Sequence, residues 1–235
     1  MTTRKRISLI ALLSIAVAGV ISPSAHAAAT RYITVSAQGT VKVVPDAVRI
    51  NATATSVAAT SKEALAATAK TATAVRAALK TAKIDTKDIA TQSVSVYPEY
   101  KYTNDGGSTL TGYRGSQSFT ITVRAADTAG SLVDALVAAG GDNLQINGAT
   151  PFVLDSTKSL EAARAAAVKS AKAKATSYAK LMGVKLGKVN YLVENSAPTN
   201  YTPVMAVAKA ESDATVIDLG QQDVSISVTV QWSLL

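Results

Sequence analysis

The chain has no cysteine and one histidine, His26, among its 235 residues. Without cysteine it has no disulfides, no thiol nucleophile and no attachment point for a bacterial lipoprotein anchor. Loss of His26 with an N-terminal signal would also remove the residue that His-based triads, most structural zinc sites and haem ligation require. The stability of such an exported chain must therefore come from a packed core.

The N-terminus has the three parts of a secretory signal peptide. Arg4, Lys5 and Arg6 precede an apolar run over residues 7–21, and small residues surround a cleavage point after Ala27. The run is shorter than the roughly 20 residues that a membrane-spanning helix needs. We therefore predict a signal peptide over residues 1–27 and a secreted or extracytoplasmic (periplasmic or cell-envelope) domain over 28–235, with an uncleaved membrane anchor as the alternative. The later sequence predicts no transmembrane segment in the mature chain.

The charge of the mature chain is mildly basic, and aromatic residues make up only 5% of the sequence. Cleavage after Ala27 would leave 21 basic against 16 acidic residues, a net charge of +5. Nucleic-acid-binding surfaces combine clustered basic residues with aromatic ones. The densest basic cluster consists of Lys169, Lys172, Lys174 and Lys180, and the only aromatic residue among them is Tyr178. We therefore expect no nucleic-acid partner, and an anionic component of the cell envelope is the more plausible one.

Alternation of apolar and polar residues predicts most of the strands. Residues 222–234 place valine, isoleucine and tryptophan on one face and serine and threonine on the other, which is typical of a half-buried antiparallel strand. Residues 112–125 and 91–102 show the same pattern, and the Asn, Asp and Gly content of residues 104–109 predicts a hairpin between them. A further strand is expected in the N-terminal stretch YITVSAQGTVKVV, residues 32–44.

Helices are indicated by capping residues and by apolar stripes. Thr60 and Glu63 have the spacing of a capping box, which starts a helix over residues 60–83. Its predicted buried stripe is Leu65, Ala69, Ala72, Val75 and Leu79. A second long helix, residues 156–182, carries the stripe Leu160, Ala163, Ala167, Ala171, Ala175, Tyr178 and Met182. Both stripes are rich in alanine, so they indicate close packing rather than a cofactor site.

The order of these elements predicts an α+β fold built of two βαββ-like units, with mixed or antiparallel sheets and two long alanine-rich helices. The first unit comprises strand 46–57, helix 60–83, and strands 91–102 and 112–125. The second comprises strand 143–154, helix 156–182, and strands 187–194 and 222–234. A short helix, 128–139, would join possible subunits 31–126 and 143–235.

Chemistry-bearing patterns are few. Ser177 and Lys180 match the Ser-x-x-Lys spacing of penicillin-recognising enzymes, but the companion motifs are missing from the sequence. The carboxylates lack metal-ligand spacing, so we expect no catalytic residue, no metal and no cofactor. Tyr97 could contribute to a ligand surface, whereas Tyr100 and Tyr102 are expected to pack on the sheet. The long connection over residues 196–216 is a second candidate for partner binding.

Five segments in order resemble the SIMPL-domain family, which includes bacterial periplasmic immunogenic proteins and is a domain of unknown function. They are ITVSAQGTVKVVPDAV, KIDTKDIATQSVSVYPEY, LTGYRGSQSFTITVR, LVDALVAAGGDNLQINGATPFVLD and EAARAAAVKSAKAKATSYAKLMGVKLGKV. The resemblance implies an α+β fold, an extracytoplasmic setting and, for some members, self-assembly. It implies no enzymatic activity. The positions that match its pattern, with no role attached, are Gly39, Pro45, Asp46, Tyr113 and Arg114.

These observations favour an exported, non-enzymatic binding or assembly protein of the cell envelope. The alternatives are an envelope-acting hydrolase that uses a Ser-Lys pair and a monomeric ligand-binding module. Self-association is expected because the sheets have edges and their Ser/Thr-rich faces carry few charges. A monomer would instead require guarded edges, for which the candidates are Lys42, Pro45 and Lys101.

Overall fold

The structure, a computed structural model, describes residues 31–102, 106–195 and 214–235. The predicted signal peptide, residues 103–105 of the predicted hairpin and residues 196–213 of the long connection lie outside this part. The strands are β1 (Tyr32–Val43), β2 (Ala47–Ala58), β3 (Ile89–Tyr102), β4 (Ser108–Val123), β5 (Leu144–Phe152), β6 (Leu186–Glu194) and β7 (Gln222–Leu234). The α-helices are α1 (Ser61–Thr81), α2 (Ala129–Gly140) and α3 (Thr157–Leu181).

The strands form two sheets, which confirms the predicted α+β fold. One sheet has the order β3-β4-β2-β5 and the other the order β1-β7-β6. All neighbouring strands in both sheets are antiparallel. Strand β5 lies beside β2 of the first predicted unit, and β1 lies beside β7 of the second. Each sheet therefore takes one strand from the other half of the chain.

Helices α1 and α2 cover one face of the four-stranded sheet. The core between them contains Ile50, Phe119, Ile121, Leu79 and Leu136, all almost completely buried. The predicted stripe of α1 is partly wrong, because Leu65 and Ala69 are exposed while Ala64 and Thr68 are buried. Gly115 lies under this part of the helix, where small side chains let the helix approach the sheet.

Helix α3 packs on β1 and β7 through a row of alanines. Ala163, Ala167, Ala171, Ala175 and Ala179 are buried at steps of four residues. The prediction of a buried stripe is wrong at the C-terminal end of the helix, since Tyr178 and Met182 are exposed by 53% and 54%. The opposing sheet face supplies Val224, Ile226, Val228, Val230 and Trp232. Within the described residues, no helix is long and apolar enough to cross a membrane.

Candidate functional site

Gly39, one of the family-pattern positions, lies where α3 crosses β1. A Cβ atom at this position would be 2.2 Å from both the carbonyl oxygen of Ala163 and the backbone nitrogen of Ala167. Both neighbours are backbone atoms, which cannot rotate away as a side chain could. Gly39 therefore sets the separation between the helix and the sheet, which is a structural role.

Pro45 and Asp46 lie in the link between β1 and β2. Pro45 is buried, and the Asp46 carboxylate accepts a hydrogen bond from the backbone N–H of Leu154 at 2.8 Å. The partner lies 108 positions further along the chain. Asp46 thus ties the start of the four-stranded sheet to the chain just after β5.

Tyr113 and Arg114 lie in β4, where Arg114 is opposite Val57 on one side and Tyr97 on the other. The Arg114 guanidinium donates to the Glu99 carboxylate at 2.5 Å, and both side chains are about one-third exposed. This pair fastens the end of the β3–β4 hairpin. The tyrosines of β3 are exposed, by 49% at Tyr97, 45% at Tyr100 and 77% at Tyr102. The expected packing of Tyr100 and Tyr102 is therefore wrong, because β3 is an edge strand and α1 packs mainly on β2 and β4.

The predicted Ser177–Lys180 pair does not share the pocket beside β1. Ser177 lines it together with Ser36, Lys174 and Tyr178, whereas Lys180 does not. The Lys174 ammonium donates to the backbone carbonyl of Ser36 at 3.3 Å. The lysine beside Ser177 in this pocket is thus engaged with the edge of the sheet.

Carboxylates of the described residues do not form a metal site, since no group of three or more metal-binding side chains comes together there. The strongest pairing is instead structural. Arg124 donates to both oxygens of Asp88 at 2.7 and 2.8 Å, which lowers the pKa of that carboxyl below its usual value. The pair joins the end of β4 to the single helical turn before β3.

The four edges of the two sheets differ in how they are protected. Unpaired strand edges invite pairing with another chain, and proteins block them with proline, lysine, bulges or a covering element. Strand β3 contains Pro98, two irregularities of register and Lys101. Strand β5 contains Pro151, whose carbonyl accepts from Gln222 at 2.7 Å. On β1, the backbone carbonyl of Ser36 accepts a hydrogen bond from the ammonium group of Lys174 in α3.

Strand β6 has weaker protection than these three. It contains no proline, and its pairing with β7 is regular from Tyr191 to Glu194 after two irregularities nearer its start. Tyr191, Leu192 and Val193 are exposed by 43%, 48% and 48%. Because successive side chains of a strand point to opposite faces, apolar groups are exposed on both faces of this edge.

The backbone of β6 also directs polar groups of Leu192 outward. The backbone N–H of Asn195 donates to the carbonyl of Ser227 at 2.8 Å. Hydrogen bonding alternates along an antiparallel strand, so Tyr191 and Val193 also direct their backbone groups to β7. The N–H and C=O of Leu192 therefore point away from the sheet, where no strand of the described residues pairs with them.

The sequence identified β6 as a strand but not as the open edge. Of the three candidate guards, Lys42 and Lys101 lie on the edge strands β1 and β3. Lys42 pairs across to Asp223 of β7 at 3.1 Å, and Pro45 is buried in a link rather than placed on an edge. The signal that could have found β6 is its run of consecutive apolar residues, Tyr191-Leu192-Val193, which breaks the alternation expected of a strand with one solvent-facing side.

Comparison with known proteins shows which family and which proteins the chain is similar to. A family model described as SIMPL, a protein of unknown function (DUF541), matches residues 33–232. The chain is 30% identical over 157 residues to the 26 kDa periplasmic immunogenic proteins of Brucella melitensis biotype 1 and Brucella abortus strain S19, covering 61% of each. It is 31% identical over 131 residues to an uncharacterized protein, YggE, of Edwardsiella ictaluri, covering 53% of both. The chain thus matches between about half and three fifths of the length of these curated relatives.

Proposed function

Because the chain belongs to the SIMPL family, we propose that it is an exported, non-enzymatic protein of the cell envelope whose copies assemble through the outer edge of β6. The names of the Brucella relatives support an extracytoplasmic setting. The family description gives no reaction, and the Ser177–Lys180 pair lacks a shared pocket.

The observation that carries this proposal is the contrast between β6 and the other three edges. Proline, lysine or irregular register interrupts β1, β3 and β5, and in β6 the lysine, Lys188, and both irregularities of register lie before Tyr191. The segment Tyr191–Glu194 has a regular backbone, outward-pointing groups at Leu192 and exposed apolar side chains. Pairing with a second strand would satisfy the backbone groups and bury the side chains together.

A second copy of β6 is the simplest partner. Two identical edges pair antiparallel around a two-fold axis, so each copy presents the same surface to the other. The three-stranded sheets of two copies would then form one continuous sheet of six strands. Self-pairing of an exposed strand in this way obtains affinity from main-chain hydrogen bonds and specificity from alternate side chains.

The test is the mass of the exported protein in solution, measured by light scattering after size exclusion at several concentrations. We expect a mass of two or more chains that falls on dilution. Val193→Lys places two like charges near each other across the shared edge and should weaken association about tenfold or more, since ~1.4 kcal/mol changes an equilibrium constant tenfold. Leu192→Pro removes the outward N–H without removing a bond to β7 and should act in the same direction.

The matched control is Val94→Lys on the guarded strand β3, where the native side chain is exposed by 55%. This variant should associate like the native protein. A concentration-independent mass of one chain for the native protein would contradict the proposal and leave the monomeric binding module as the better account. Equal effects of Val193→Lys and Val94→Lys would contradict the assignment to β6.

A further inference from the structure

An apolar groove separates α3 from β6 on the helix-covered face of the three-stranded sheet. Its walls are a row on the helix, Val168, Lys172 and Thr176, and the strand residues Val189 and Leu192. It exists because the alanine face of α3 lies over β1 and β7, so the helix hardly touches β6. Val168, Val189 and Leu192 consequently remain exposed by 41%, 55% and 48%.

The size and shape of the groove suit a small elongated molecule. Its volume is about 590 Å³, within the range of roughly 300–1,000 Å³ that is usual for small-molecule sites. The helix wall extends over nine residues, from Val168 to Thr176, which is about 12 Å at the rise of an α-helix. The floor includes Val230 and Trp232 of β7, so the base of the groove is apolar.

The charge at the groove is of one sign. Lys172 and Lys188 line it, and no carboxylate does. Neither ammonium group forms a salt bridge with a described carboxylate, whereas Arg164 on the same helix is paired with Glu194 at 2.8 Å. A lysine at such a place lays its methylene stem along the apolar wall and keeps its charge in water at the rim. Two unpaired cations above an apolar trough complement a molecule with an apolar chain and an anionic head.

We infer that this groove binds a free single-chain anionic amphiphile, such as a long-chain carboxylate, with the chain against Val168, Leu192 and Trp232 and the head near Lys172 and Lys188. Burial of the chain would supply most of the affinity, because each methylene group removed from water contributes favourably to binding. The lysines would supply the preference for an anion. Pairing of β6 edges takes place in the plane of the sheet, whereas the groove lies on its helix-covered face, so binding does not require the proposed assembly.

The test uses Trp232, which is the one tryptophan of the chain and lines the groove. Its fluorescence should change saturably when dodecanoate is added to the exported protein below the micelle concentration. Dodecyltrimethylammonium, which has the same chain and a cationic head, should bind on the order of tenfold more weakly because it would place its charge beside two lysines. The double variant Lys172→Glu with Lys188→Glu should reverse this order.

A matched control makes the same change of charge at two lysines of α3 that do not line the groove. Lys169→Glu with Lys180→Glu should bind both amphiphiles like the native protein, and circular dichroism should show that both double variants are folded. Val168→Arg, which fills the groove from an exposed position, should abolish the response to both amphiphiles.

Four outcomes would overturn the inference. Equal affinity for the two head groups, or binding unchanged in the Lys172/Lys188 variant, would mean that the lysines do not recognise an anion. A response to vesicles of anionic phospholipid but none to dodecanoate would identify a membrane surface instead of a free amphiphile. A fluorescence change that follows the oligomeric mass rather than the dodecanoate concentration would identify a second copy as the occupant.

Discussion

At the scale of single residues, two glycines set how closely the helices approach the sheets. A Cβ at Gly115 would lie 2.7 Å from the carbonyl oxygen of Ala64 in α1, much as one at Gly39 would meet the backbone of α3. Gly39 faces alanines of α3 and Gly115 faces Ala64 and Thr68 of α1, so small residues on the helices and glycines on the strands together allow the close approach. The resemblance singled out Gly39 by pattern alone, and the structure supplies its physical reason.

Gly39→Ala is therefore expected to destabilise the protein by about 1–3 kcal/mol, the usual cost of adding atoms to a filled interface. The added methyl group meets backbone atoms of Ala163 and Ala167, so α3 as a whole must shift. Unfolding in denaturant measures the change. Gln38→Ala, at the exposed neighbouring position, is the control and should stay within about 0.5 kcal/mol of the native protein. A Gly39→Ala variant as stable as this control would show that the helix does not approach β1 so closely.

At the scale of secondary-structure elements, the two long helices begin differently. At α1 the backbone N–H of Glu63 donates to the Thr60 hydroxyl and the N–H of Thr60 donates to the Glu63 carboxylate, each at 3.2 Å. The predicted capping box is thereby confirmed. At α3 the first residue outside the helix, Ser156, makes no capping hydrogen bond through its side chain. Instead Asp155 accepts from the N–H of Thr157 at 2.9 Å.

This difference predicts unequal effects of removing two hydroxyl groups. Thr60→Ala should lower the free energy of unfolding by about 1 kcal/mol, since it leaves backbone amides of α1 without their partner. Ser156→Ala should change it much less, because no such bond is lost. Thermal or denaturant unfolding of the two variants side by side provides the measurement. Equal losses would mean that the capping bond of Thr60 contributes little.

The bounds of the helices and strands could be predicted from the sequence, whereas their buried faces and their pairing could be predicted only in part or not at all. The segments were predictable within a few residues, because periods of two and of about 3.6 distinguish strands such as β7 from helices such as α3. The face of a helix was less predictable when most of its residues are alanine, as the exposed Leu65 shows. Strand partners were beyond the sequence, because pairing such as that of β2 with β5 depends on distant contacts. The open edge and the groove follow from that pairing and from the placement of α3, so they could not be predicted.

At the scale of the whole molecule, the sheets do not follow the order of the chain. Residues 31–126 contain β1 without its partner β7, and they lack β5 and the α2 residues Leu132 and Leu136 of the first core. Residues 45–154 contain all four strands of one sheet together with both of its helices. The ends of this second segment also meet, since Asp46 accepts from the N–H of Leu154.

The segment 45–154 should accordingly fold when it is expressed alone, whereas 31–126 should not. We expect 45–154 to unfold cooperatively at a lower temperature than the full chain, because it loses the contacts of Ile217 and Leu219 with its core. The segment 31–126 should show no cooperative transition, since it exposes apolar faces of β1 and of the first core that the fold covers with other residues. Circular dichroism during heating distinguishes the two. A cooperative transition in 31–126 and none in 45–154 would instead support the division of the chain into subunits 31–126 and 143–235.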